Sequence, residues 1–139
     1  MSNDLLYLLT ILEAVAKVRI YTKSFNSDSE LFYSNDQKEF NATLNLLIAI
    51  GEESKKISNN AKSKTDFDWT VFTKLRDKLS HDYRGANYEI VWEVITRYLE
   101  SLKCACELLV NDLEIPKEKM EKYLNTSFYR HIRYLLKEL

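Results

Sequence analysis

Two glycines and one proline in 139 residues leave this chain few places to turn. Sandwiches and barrels need a turn residue about every ten positions, so an all-β fold is excluded in practice. The same scarcity removes phosphate-cradling loops: the sequence holds no GxGxxG and no P-loop. What fits is an all-α domain of long helices. At 139 residues and 45% hydrophobic content the chain can bury a core and is too apolar for disorder.

The formal net charge of −1 gives no global basic footprint, so any nucleic-acid contact must come from a local patch. Cys104 and Cys106 are two residues apart, which on a helix points them about 200° away from each other. That suits neither a disulfide nor a chelate, and they read as small fillers in a reducing cytosol. No HExxH and no Cys/His cluster with ligand spacing is present, so neither a metal site nor a cofactor is expected. No uninterrupted apolar run exceeds five residues, as in Leu46 to Ile50, far short of a membrane span. The apolar stretch Leu5–Ala16 has Asp4 where a signal peptide is basic and Glu13 where it would be cleaved. It reads as the first helix of a cytoplasmic protein.

That helix is predicted from about Asp4 to Ser24, capped by Ser2 or Asn3. Leu5, Leu8, Leu9, Leu12, Val15 and Ala16 form its stripe, widened by Leu6, Ile11 and Val18. A short piece follows at Glu30–Tyr33. Ser34 and Gln37 have capping-box spacing and would open a second long helix reaching about Ser58, with Phe40, Leu44, Leu47, Ile48 and Gly51 on one face. Asn59–Thr65 reads as a solvated loop. Asp66 or Asp68 caps a third helix containing Trp69, Phe72 and Leu75, which ends near Tyr83 with Gly85 as its stop. Asn87 caps a fourth, along which Val91, Val94, Ile95, Tyr98, Leu102, Ala105 and Leu109 recur. Pro116 suits the first turn of a short helix, and a last helix is predicted from about Thr126 to Glu138. The expected architecture is a single domain over 1–139. Its core, about 3–112, is an up-and-down four-helix bundle, and 113–139 form a helical C-terminal extension.

The chemistry concentrates at His81, in Arg76-Asp77-Lys78-Leu79-Ser80-His81-Asp82-Tyr83-Arg84-Gly85. Asp77 and His81 are four apart and share a helix face, so the carboxylate could orient the imidazole. Arg76 and Tyr83 share another face. Arg76 and His81 diverge by about 140° on an ideal helix. Two copies facing each other across a twofold axis would bring two Arg and two His into one cleft. Such a cleft suits metal-free cleavage of RNA, whose 2′-hydroxyl is a built-in nucleophile. An imidazole, titrating near about pH 6.5 in water, can move protons. An Arg fork can hold two phosphate oxygens and never loses its charge. The same residues would also suit a surface ion-pair network at a helix end.

The spacing Arg76-x4-His81-x-Tyr83 resembles the R-x4-H-x-Y motif of HepT-like proteins in the HEPN superfamily. Leu46–Ser58 (LLIAIGEESKKIS) resembles the family's Ile-Gly-Glu segment. Phe67–Ile95 resembles its next stretch, with Asp68-Trp69 before the motif and Tyr88-Glu89-Ile90-Val91-Trp92 after it. The resemblance covers roughly 5–110, lacks the usual Pro before Trp69, and leaves Asp112–Leu139 as an extension. It implies a HEPN bundle acting as a homodimer, and a metal-independent endoribonuclease serving as the toxin of a toxin–antitoxin module. The implied catalytic pair is Arg76 and His81, supported by Asp77 and Ser80. The implied antitoxin is a minimal nucleotidyltransferase that transfers AMP to Tyr83. Lys78, Arg84, Arg130 and Arg133 are the basic residues available to touch RNA. A rival class is a non-catalytic helical partner that presents substrate to a nucleotidyltransferase; another is a plain dimerisation module.

Gly51 inside a helix implies a close helix approach, and Glu52 beside it faces either the dimer cleft or solvent. Trp69 and Trp92 read as core anchors. The tail interleaves aromatic and basic residues (Tyr123, Phe128, Tyr129, Arg130, His131, Arg133, Tyr134, Lys137) in a way that suits single-stranded RNA. Phe128, Ile132, Leu135, Leu136 and Leu139 also form a packing stripe that would dock it.

Overall fold

The computed structural model describes residues 3–82 and 86–138, and every regular element among them is a helix. Four long helices make the expected all-α bundle: α1 (Asn3–Thr22), α3 (Lys38–Lys56), α5 (Thr70–His81) and α6 (Tyr88–Asp112). Short helices α2 (Asp28–Tyr33), α4 (Asn59–Lys62) and α7 (Lys117–Leu124) link or extend them. α1 packs against both α3 and α6, α3 also packs against α5, and α2 lies on α6. This double partnership explains why α1 is apolar nearly all round. Leu5, Leu8, Leu9, Ile11, Leu12, Val15 and Val18 are all buried, whereas Leu6 turns outward. No described helix is long and apolar enough to cross a membrane.

Local chemistry sets the helix starts. Asn87 caps α6 as expected, its side-chain oxygen accepting the Glu89 amide at 2.8 Å and the Ile90 amide at 3.2 Å. Asp68, not Asp66, serves α5 by accepting from the Thr70 amide (3.0 Å) and hydroxyl (2.6 Å). Ser2 and Gly85, expected as a cap and a stop, lie outside the described residues.

Three expectations are corrected. The capping box at Ser34 and Gln37 does not form: Ser34 instead ends α2, its amide donating to the Glu30 carbonyl. Asn35, Asp36 and Gln37 then turn with φ of 52°, 56° and 62°, so the chain enters α3 through a left-handed 3₁₀ turn without a side-chain cap. The working cap lies earlier, where the Ser27 hydroxyl accepts the Glu30 amide at 3.2 Å. The loop expected over 59–65 begins instead as the one-turn α4. Ser58 caps it through the Ala61 amide, and the buried Asp4 carboxylate takes the Ser58 amide (3.0 Å) and hydroxyl (2.7 Å). Finally, no continuous helix spans 126–138. A 3₁₀ helix over Arg133–Glu138 is all that forms, because the preceding backbone is claimed by α1.

That claim is made by Glu13, which is 1% exposed. One carboxylate oxygen accepts the amides of Arg130 and His131, each at 2.9 Å, and the other lies 2.8 Å from His131 Nδ1. Tyr129, Ile132 and Leu135 are buried beside it, while Phe128 of the expected stripe is exposed. Removing a buried acceptor strands its donors. Glu13→Ala is therefore expected to destabilise the protein by about 3 kcal/mol, and to speed hydrogen exchange across 126–138 before the bundle opens. Unchanged exchange in the tail would show that apolar contacts alone hold it.

Trp69 is buried, and Trp92 is partly buried against the core, as anchors should be. Cys106 is buried in α6, where burial pushes its thiol pKa up. Cys104 is exposed and unpaired with it.

Candidate active site

α5 buries Phe72, Leu75 and Leu79 at helical spacing, and this fixes which way its polar residues point. α5 meets α3 at Gly51. A Cβ placed there would lie 2.2 Å from Arg76 Cβ and 2.6 Å from the Phe72 carbonyl oxygen. The expected close approach is thus real, and what it admits is the stem of Arg76.

The Arg76 guanidinium emerges between two carboxylates. Nη1 donates to Asp77 Oδ1 at 3.2 Å and Nη2 to Glu52 Oε1 at 3.3 Å. Asp77, then Glu52, raise the Arg76 pKa above its ordinary value. Lys55 of α3 reaches the same Asp77 oxygen at 2.5 Å. Lys55, then Arg76, hold the Asp77 carboxyl below the usual carboxylate range. Arg76 Nε is buried with no hydrogen-bond partner among the described residues. Lys55 and both carboxylates are exposed, and such pairs hold weakly against a competing anion. A phosphodiester could therefore displace Glu52 from the fork.

An open cleft of about 950 Å³ runs along this front. Arg76, Asp77, Lys78, Ser80 and His81 line it together with Lys74, Asp82 and the α6 residues Ile90 and Val94. The structure thus brings five sequence-named residues to one cavity despite the angular divergence of Arg76 and His81. His81 is exposed at the last position of α5. The expected pairing of Asp77 with His81 is replaced by the Asp77 contacts to Lys55 and Arg76, since the charged ammonium on α3 offers the stronger bond. Arg130 and Arg133 lie elsewhere, on the docked tail, and Arg133 Nε donates to the Leu124 carbonyl at 2.9 Å. Tyr83 and Arg84 lie outside the described residues. Lys55 and Lys74 were missed from the sequence. Lys55 had a readable signal, sitting one helical turn after Gly51 on the face that meets α5.

A helical bundle with guanidinium, ammonium and imidazole groups along one open cleft is the kind of protein that handles anionic phosphodiesters. The family model described as Ribonuclease HepT-like matches residues 11–109. The chain belongs to this HepT-like ribonuclease family, and its enzyme class is endoribonuclease. A Methanocaldococcus jannaschii protein whose name assigns it provisionally as an RNase is 30% identical over 109 residues, covering 78% of this chain and 88% of the relative. A Thermococcus cleftensis protein named "Probable ribonuclease HepT" is 32% identical over 104 residues, covering 74% and 92%. No solved structure matches at the significance these relatives reach. The family match ends near the last turns of α6, so α7 and the Glu13-docked tail lie beyond it.

Proposed function

We propose that this chain is the toxin of a HEPN/nucleotidyltransferase toxin–antitoxin module, a metal-independent endoribonuclease working as a homodimer. The observation that carries the reading is the convergence of Arg76 and His81 on one open cleft with Lys74, Lys78 and Ser80. In the mechanism, His81 accepts the 2′-hydroxyl proton as O2′ attacks the adjacent phosphorus. Arg76 leaves Glu52 and grips two non-bridging oxygens, where charge accumulates. The partner subunit's His81 protonates the departing 5′-oxygen, so the bond to O5′ breaks as the bond to O2′ forms. The products are a 2′,3′-cyclic phosphate and a 5′-hydroxyl. Asp77 and Ser80 support the pair by holding Arg76 and by offering a hydroxyl to phosphate. Lys78 and Arg84 add contacts to the RNA backbone, and Arg130 and Arg133 would do so only for RNA reaching the tail.

Restraint comes from a cognate minimal nucleotidyltransferase that adds AMP to Tyr83. The added phosphodiester carries about one negative charge at neutral pH, which pairs with Arg76 and repels RNA. The working compartment is the cytoplasm.

The purified protein is expected to cut RNA in EDTA and leave a cyclic phosphate, and to spare RNA carrying a 2′-deoxy sugar at the cut site. Cleavage of the deoxy substrate, or cleavage only with added metal, would overturn the mechanism. Co-expression with the neighbouring transferase is expected to raise the intact mass by adenylyl groups, and Tyr83→Phe to abolish the increase. A toxin neutralised at unchanged mass would place inhibition in docking alone.

A further inference from the structure

Tyr33 is 70% exposed, more than any other large apolar side chain among the described residues. It is not loose. Its ring meets Phe32 edge-to-face at 4.9 Å and Tyr88 at 5.9 Å. Phe32 in turn packs edge-to-face on Phe40 and Tyr88 at 4.9 and 4.6 Å. A rigid aromatic held out in water loses little entropy on binding, and tyrosines of this kind anchor protein interfaces.

The surroundings select the partner. Between positions 28 and 39 stand Asp28, Glu30, Asp36 and Glu39 against the single cation Lys38, and Glu89 adjoins Tyr88 on α6. Asp28 and Glu89 lie close enough to act electrostatically on the Tyr88 hydroxyl. Such a rim repels an RNA backbone and attracts cations. Arginine suits it best, since its plane stacks on tyrosine while its fork pairs with carboxylates. We propose that the Tyr33–Tyr88 face with its acidic rim is a docking surface for an arginine-bearing segment of a partner protein. The proposal stands independently of the cleavage mechanism.

The test uses the full chain, isotope-labelled, titrated with nona-arginine and nona-lysine at about 0.15 M salt, with oligouridylate as a counter-probe. Nona-arginine is expected to bind more tightly than nona-lysine and to shift amide signals within 27–40 and 88–93. Tyr33→Ala and Glu89→Lys are each expected to weaken it about tenfold, while Tyr33→Phe retains most of the affinity. Thermal unfolding of each variant, expected near that of the parent, establishes that the variants fold. Three results would each overturn the proposal: nona-arginine shifts spread over the whole surface, an affinity indifferent to Tyr33→Ala, or oligouridylate shifting these same amides. The last would make the face an RNA platform instead.

Discussion

Arg76→Ala is expected to lower RNA cleavage by at least about 100-fold, the usual loss when one donor to a developing oxyanion is removed. His81→Ala is expected to cost about 10² to 10⁴, the range for general acid–base groups. Neither should unfold the protein. His81 is exposed at a helix end, and Arg76→Ala keeps the Cβ that packs at Gly51 while removing a fork whose tip lies on the open front, so truncation removes little core packing. Arg76→Lys separates charge from shape. An ammonium keeps the attraction for phosphate but cannot hold two oxygens with one planar fork, so only partial activity is expected. Initial rates on a labelled RNA, with thermal unfolding of the same preparations, check all three variants. Full activity in His81→Ala, with the fold intact, would move the proton transfers to another group.

What could be read from the sequence follows the distance over which the signal acts. The Asn87 cap needs residues two and three positions on, and it is where the sequence places it. The cleft front was likewise legible, because Arg76, Asp77, Lys78, Ser80 and His81 belong to one helix. Contacts between elements were less so. Glu52 and Lys55 reach Arg76 and Asp77 across the α3–α5 contact, and the pull of Lys55 on Asp77 breaks the intrahelical Asp77–His81 pairing that spacing suggested. Glu13 is the extreme case. It stood out only as a carboxylate in an apolar run, and its partners, Arg130 and His131, are 117 and 118 residues away. Local competition accounts for the turn before α3. Ser34 and Gln37 have capping-box spacing, but Ser34 is already committed to closing α2, and the left-handed residues after it rule out the cap geometry.

Gly51→Ala should damage both stability and catalysis, although alanine is the better helix former by about 1 kcal/mol. The opposing effect is steric. The new methyl would sit 2.2 Å from Arg76 Cβ and 2.6 Å from the Phe72 carbonyl oxygen. These atoms belong to the α5 backbone and the root of a side chain, so no rotamer change clears them and α5 itself must move. Overpacking of this kind costs about 1–3 kcal/mol and can cost more. At a contact this short the clash outweighs the helical gain, giving a net loss of about 2 kcal/mol. The displaced helix carries Arg76 and His81, the proposed catalytic pair, and misplacing such groups by about 1 Å can cost 10²-fold. Cleavage is therefore expected to fall at least about tenfold in protein that is still folded. Denaturant midpoints and cleavage rates measured on the same samples test both halves. A Gly51→Ala protein that is more stable and fully active would show that α3 and α5 can separate at no cost to the site.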